Sequence, residues 1–183
     1  RRFIERAEAV GVLVMVSGVV GSNNRRTLDP EEFRGFALSD DLAPLVFING
    51  ADTRAAQMFT LAHELAHLWL GESALSDVGP ASSPSQRIEG WCNRVAAEFL
   101  VPRESLQREL PGGSPLGEVQ ALARTFKVST LVVLRRLFDA HRISWETFNH
   151  AYEEELRRLV ERPRASGGDF YLTQAVRVSR RFA

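Results

Sequence analysis

The segment Phe59-Thr60-Leu61-Ala62-His63-Glu64-Leu65-Ala66-His67-Leu68-Trp69-Leu70 constrains this chain most, because it sets three polar groups into an otherwise apolar helical run. A helix brings residues four apart onto one face, so His63 and His67 present two imidazoles in one direction with Glu64 offset to the side. Ala62, Leu65, Ala66, Leu68 and Leu70 surround the trio and predict a helix that runs deep rather than a solvated charged face. Two histidines and a glutamate buried there without partners would be costly to desolvate, and a bound metal removes that cost. Coincidence is a weak explanation: with 4 His and 16 Glu in 183 residues, shuffling gives HExxH in roughly 0.6% of sequences. A divalent metal lowers the pKa of its bound water to about 7, and a neighbouring carboxylate takes a proton as that water attacks a carbonyl. The pattern predicts a metallohydrolase, with His63 and His67 as ligands and Glu64 as general base.

Catalytic zinc sites usually carry three protein ligands plus water, so a third ligand is expected downstream. His67 is followed by Leu68, Trp69, Leu70, Gly71, Glu72 and Ser73, which is not the HExxHxxGxxH continuation that would supply a third histidine. A carboxylate is the remaining choice. The next helical segment, Gln86 to Val101, offers Glu89 and Glu98, nine residues apart. At about 100° per residue they face opposite ways, so only one can reach the metal. Glu89 shares its face with Cys92, Asn93 and Ala96, a strip of small residues suited to close helix approach, whereas Glu98 reads equally as a salt-bridged surface glutamate. Periodicity favours Glu89 only modestly.

The two pieces Phe59 to His67 and Ile88-Glu89-Gly90-Trp91-Cys92-Asn93-Arg94-Val95-Ala96-Ala97-Glu98-Phe99-Leu100-Val101-Pro102 together resemble the ImmA/IrrE family of metallo-endopeptidases. There a helical HExxH is followed by a helix of the form E-x-x-(C/A)-N-x-x-A-A-x-x-L-x-P, whose first glutamate is the third ligand. The resemblance therefore implies Glu89 as that ligand, Zn2+ as cofactor with Mn2+ as the other candidate, and a zincin-like fold. It runs from about Val12 to Phe148. It further implies a cytoplasmic bacterial protease that cuts a helix-turn-helix transcriptional repressor in a stress or mobile-element response. Gly167-Gly168-Asp169-Phe170-Tyr171 is similar to members fused to an upstream repressor-type helix-turn-helix domain.

Composition is consistent with this and adds exclusions. With 44% hydrophobic residues the chain can build a core, and its zero formal net charge gives no bulk attraction to nucleic acid or membrane. The longest apolar run, Val10 to Val20, is broken by Gly11, Ser17 and Gly18 and is too short to span a bilayer. Cys92 is the only cysteine, which rules out an internal disulfide and reads as a small buried hydrophobe. Arg1 opens the chain without methionine and the last residues stand inside a helical pattern, so a fragment of a longer protein is expected.

In order, a helix end at Arg1 to Ala9 precedes strands at Val12 to Val16, Phe33 to Leu38 and Leu45 to Ile48, with a turn-rich stretch from Ser17 to Pro30. These predict an α+β fold: a small, mostly antiparallel sheet packed on the HExxH helix, spanning residues 1–110 with the metal site. Ser83-Pro84-Ser85-Gln86 has the form of a capping box and marks the Glu89 helix. Residues 111–148 read as a helix-turn-helix-like subdomain, and 149–183 as a helix, a linker and a last stripe at Tyr171, Ala175, Val178 and Phe182. The second helix of that subdomain begins Ser129-Thr130-Leu131-Val132-Val133-Leu134, apolar where base-reading side chains would be needed, so direct DNA binding is not expected. His141, His150, Tyr152 and Tyr171 are each candidates for a transition-state donor and are each read as structural, so none is assigned that role. The rival function is a non-enzymatic regulator that keeps a structural metal and binds DNA or the repressor.

Overall fold

The computed structural model describes residues 2–21, 23–71, 74–75, 84–110 and 114–160. They form an α+β protein whose compact units divide at Ala96 and Ala97. In the first unit, helix α1 (Arg2–Ala9) leads into β1 (Leu13–Ser17), a hairpin of β2 (Val19–Val20) and β3 (Asn23–Thr27), then β4 (Gly35–Leu38) and β5 (Leu45–Asn49). Strands β1, β5, β4 and β6 (Ala74–Leu75) lie in that order in one sheet, with β1 parallel to β5 and the other two pairings antiparallel. Alternation in β1 and β5 turns Val14, Val46 and Ile48 inward, where they meet Ala7 of α1 and Leu61 of the HExxH helix.

That helix is α2 (Arg54–Trp69), with Thr53 as its N-cap. Thr53 Oγ1 accepts the Ala56 amide at 3.2 Å, and Gln57 Nε2 donates to the carbonyls of Gly50 and Asp52, which fixes the turn from β5. Asn49, fully buried, ties the same turn to the approach to β4 by donating to Phe33 O at 3.0 Å and accepting from Ala51 N at 3.0 Å. The helix closes at Leu70, and Gly71 follows at φ +70°, a backbone state that glycine adopts without strain.

Two expectations change here. The stretch from Ser17 to Pro30 holds the β2–β3 hairpin rather than turns alone. Every residue of β3 is exposed, so no face of it is buried to impress a period-2 pattern on the sequence. The strand expected from Phe33 starts at Gly35, because the Phe33 amide is taken by Asp29 O at 3.2 Å in the preceding turn.

Helix α3 (Pro84–Leu100) opens on its proline, as a first helical position allows, whereas Ser83 lies outside the described residues. Helices α4 (Arg103–Glu109), α5 (Val119–Phe126), α6 (Thr130–Asp139) and α7 (Trp145–Val160) make the second unit. Val101, Leu106 and Leu110 are buried with Val133, Leu134 and Leu137, so the chain from Ala97 packs into this helical core. Lys127 caps α5 in the left-handed conformation, and Ser129 Oγ accepts the Val132 amide to start α6. The linker and last stripe expected after Val160 lie outside the described residues.

Candidate metal centre

Helix α2 buries its polar trio as the pattern required: His63 is 6% exposed, His67 1% and Glu64 0%. One helical turn brings His63 Nε2 within 3.1 Å of His67 Nε2. The third group comes from α3, where Glu89 presents Oε2 at 3.0 Å from His63 Nε2 and Oε1 at 3.1 Å from His67 Nε2. The face carrying Glu89 can approach closely because Cys92 and Ala96, both fully buried, are small. Glu98 points elsewhere, as nine residues of helix dictate. Its Oε2 pairs with Arg136 Nη2 and its Oε1 accepts the Arg103 amide at 2.9 Å.

These donors fit a divalent cation. Ligand atoms arranged tetrahedrally at 2.0–2.2 Å from an ion lie about 3.3–3.6 Å from one another. The nearest atoms of the three groups stand 3.0–3.1 Å apart, with His63 meeting Glu89 Oε2 and His67 meeting Oε1, and they form a two-nitrogen, one-carboxylate set. Burial, and secondarily the neighbouring His67, pushes His63 below the usual imidazole range, against the raising effect of the Glu89 carboxylate and Asn93. That direction favours the neutral form, which can donate a lone pair.

The residue that sequence reading missed is Gly35. A Cβ at that position would stand 2.5 Å from Thr60 Cγ2, 2.7 Å from Phe47 O and 3.5 Å from Glu64 Oε1. Strand β4 therefore lies directly against the α2 face that carries Glu64, an approach open only to glycine. The sequence signal was a single glycine opening an apolar run. Tyr152, expected to be structural, sets its ring at a tilt against Phe148, with centroids 5.2 Å apart.

The model of the IrrE N-terminal-like domain matches residues 7–138, well over half of the chain. The chain belongs to this family. Two curated relatives are each named radiation response metalloprotease IrrE. The protein from Deinococcus radiodurans is 37% identical over 99 residues, covering 49% of this chain and 30% of the relative. The protein from Deinococcus deserti is 37% identical over 101 residues, covering 52% of this chain and 36% of the relative. The chain thus spans about a third of the length of the curated relatives it matches. Among the described residues no helix is long and apolar enough to cross a membrane.

Proposed function

We propose that this chain is a metal-dependent endopeptidase in which His63, His67 and Glu89 hold a Zn2+ ion, or Mn2+ in its place, and Glu64 is the general base. The observation that carries this reading is the convergence of two imidazole nitrogens and one carboxylate from two helices, with a second carboxyl, that of Glu64, buried one residue from a ligand. The ion, when bound, supplies Lewis acidity and an acidified water. His63 and His67 are fixed by their helix and give their Nε2 atoms. Glu89, the most exposed member at 35%, stands on the solvent side of the set. Glu64 takes the proton from the attacking water and returns it to the leaving amine, and its burial keeps that proton away from bulk solvent.

The substrate is a protein, and we assign it to the class of helix-turn-helix repressors acting in a cytoplasmic stress or mobile-element response. The first unit is read as zincin-like, and α5 with α6 as an architectural helix-turn-helix-like subdomain. Val133 and Leu134 at 0% and 2% exposure support this second assignment, since side chains so buried are not offered to a DNA groove. They also weigh against the non-enzymatic, DNA-binding regulator. The test is incubation of the metal-loaded chain with the repressor encoded beside it, with a Glu64→Gln control. Cleavage by the wild type and none by the control is expected. An intact repressor under metal-replete conditions, or equal cutting by both proteins, would remove the assignment.

A further inference from the structure

Each imidazole of the candidate centre turns Nε2 toward the other ligands, which leaves Nδ1 as its second polar atom. His63 Nδ1 and His67 Nδ1 are both shielded from solvent, and among the described residues neither has a hydrogen-bond partner in place. A buried ring nitrogen left without a partner carries the cost of the water it has lost. A neutral imidazole whose Nε2 offers a lone pair holds its proton on Nδ1, so the partner each ring calls for is an acceptor.

His63 has one close by. The Asn93 side chain lies within hydrogen-bonding reach of its ring. Asn93 follows Glu89 by four residues on α3, so it stands on the same helix face one turn further on. Glu89 takes the Nε2 edge of the His63 ring, with Oε2 at 3.0 Å. On α2 itself the residues one turn before and after His63 leave Nδ1 unserved: Phe59, with ring centroids 6.3 Å apart, has no acceptor, and His67 meets the ring at Nε2. Asn93 is exposed, and the terminal torsion of an asparagine is soft, so its amide plane turns at little cost until Oδ1 faces the ring nitrogen.

We infer that Asn93 is a positioning residue for the metal centre, its Oδ1 accepting from His63 Nδ1–H and so holding the ring in the tautomer and rotation that aim the Nε2 lone pair at the ion. The inference rests on the reading of His63 as a metal ligand. A group behind a ligating histidine raises its basicity and fixes its orientation, and losing one weakens metal binding by roughly 10–100-fold. Helix α3 then serves the site twice, supplying a ligand through Glu89 and setting a ligand of α2 through Asn93.

Chelator competition on the full, zinc-loaded chain reads the effect. Asn93→Leu, of similar size but without an acceptor, should weaken zinc binding roughly 10–100-fold. Asn93→Asp, which keeps an acceptor in the same place, should bind zinc at least as tightly as the wild type, and the urea midpoint of the metal-free protein should be the same in all three. Undiminished zinc binding in Asn93→Leu, or an equal loss in both variants, would overturn the assignment. A wild type that binds no zinc would overturn the ligand reading, and this inference with it. Nitrogen-edited NMR of the zinc-loaded, histidine-labelled chain supplies a readout at the atom itself. The His63 Nδ1 proton should move upfield in Asn93→Leu and hold its place or move downfield in Asn93→Asp, with the His67 Nδ1 proton unmoved. A His63 proton unmoved in Asn93→Leu would show that Asn93 does not meet Nδ1.

Discussion

The two compact units bury charge in opposite ways. In the helical unit Arg136, 6% exposed, is answered on several sides: its Nε donates to Val101 O at 3.0 Å and its Nη2 pairs with Glu98. Glu155, 8% exposed, likewise accepts from Thr130 Oγ1 at 2.7 Å and pairs with Arg158. Donor meets acceptor there, and the result is architecture. In the sheet-containing unit, His63 and His67 instead aim nitrogen against nitrogen at 3.1 Å, with the Glu89 carboxylate 3.0–3.1 Å from both. Groups that share the capacity to donate a lone pair converge when something positive is to stand among them. The contrast teaches how to read a buried glutamate or histidine: by whether its neighbours complement it or duplicate it.

The sharpest way to break this comparison is to exchange the roles of the two glutamates of α3. Glu89→Ala should weaken metal binding by more than about 100-fold, beyond what losing an outer partner of a ligand costs, whereas Glu98→Ala should leave metal content near the wild-type value. Titration with a competing chelator reads both, and the reverse pattern would sink the assignment.

Next in size are changes to the helical core. Leu137→Ala removes a fully buried side chain and should cost about 3 kcal/mol in urea unfolding, with metal stoichiometry unchanged. Arg136→Ala should cost about 2 kcal/mol, since it strands the Val101 carbonyl and removes a buried stem. Because Arg136 is structural, only Arg135, half exposed and paired to Asp139 at 3.0 Å, can serve as a clean probe of DNA binding. Arg135→Ala should change neither stability, beyond about 0.5 kcal/mol, nor any gel shift. A sequence-specific, salt-dependent shift lost in that variant would revive the regulator reading.

Much of this was legible in the sequence where one physical requirement dominated. The HExxH helix was readable because its periodicity, its Thr53 cap and the terminal Gly71 agree. Glu89 became the choice over Glu98 from the resemblance of its motif, since helix periodicity alone showed only that the two could not act together. The β2–β3 hairpin left no trace because neither of its faces is buried against a core. Gly35 was invisible for a different reason: what it avoids is Thr60, Phe47 and Glu64, residues far along the chain that only the folded sheet brings near. Arg135 and Arg136 are neighbours of the same type in the sequence, and only the packing of α6 separates the exposed one from the buried one.

The central claim is that the metal centre has three protein ligands and an open fourth position, and X-ray absorption spectroscopy of the zinc-loaded chain tests it most directly. The account predicts two imidazoles and two oxygens at about 2.0–2.2 Å, with the carboxylate oxygen lost in Glu89→Ala. A sulfur at about 2.3 Å, which only Cys92 among the residues beside the ligands on α3 could supply, or a third imidazole would describe a closed structural site and contradict it.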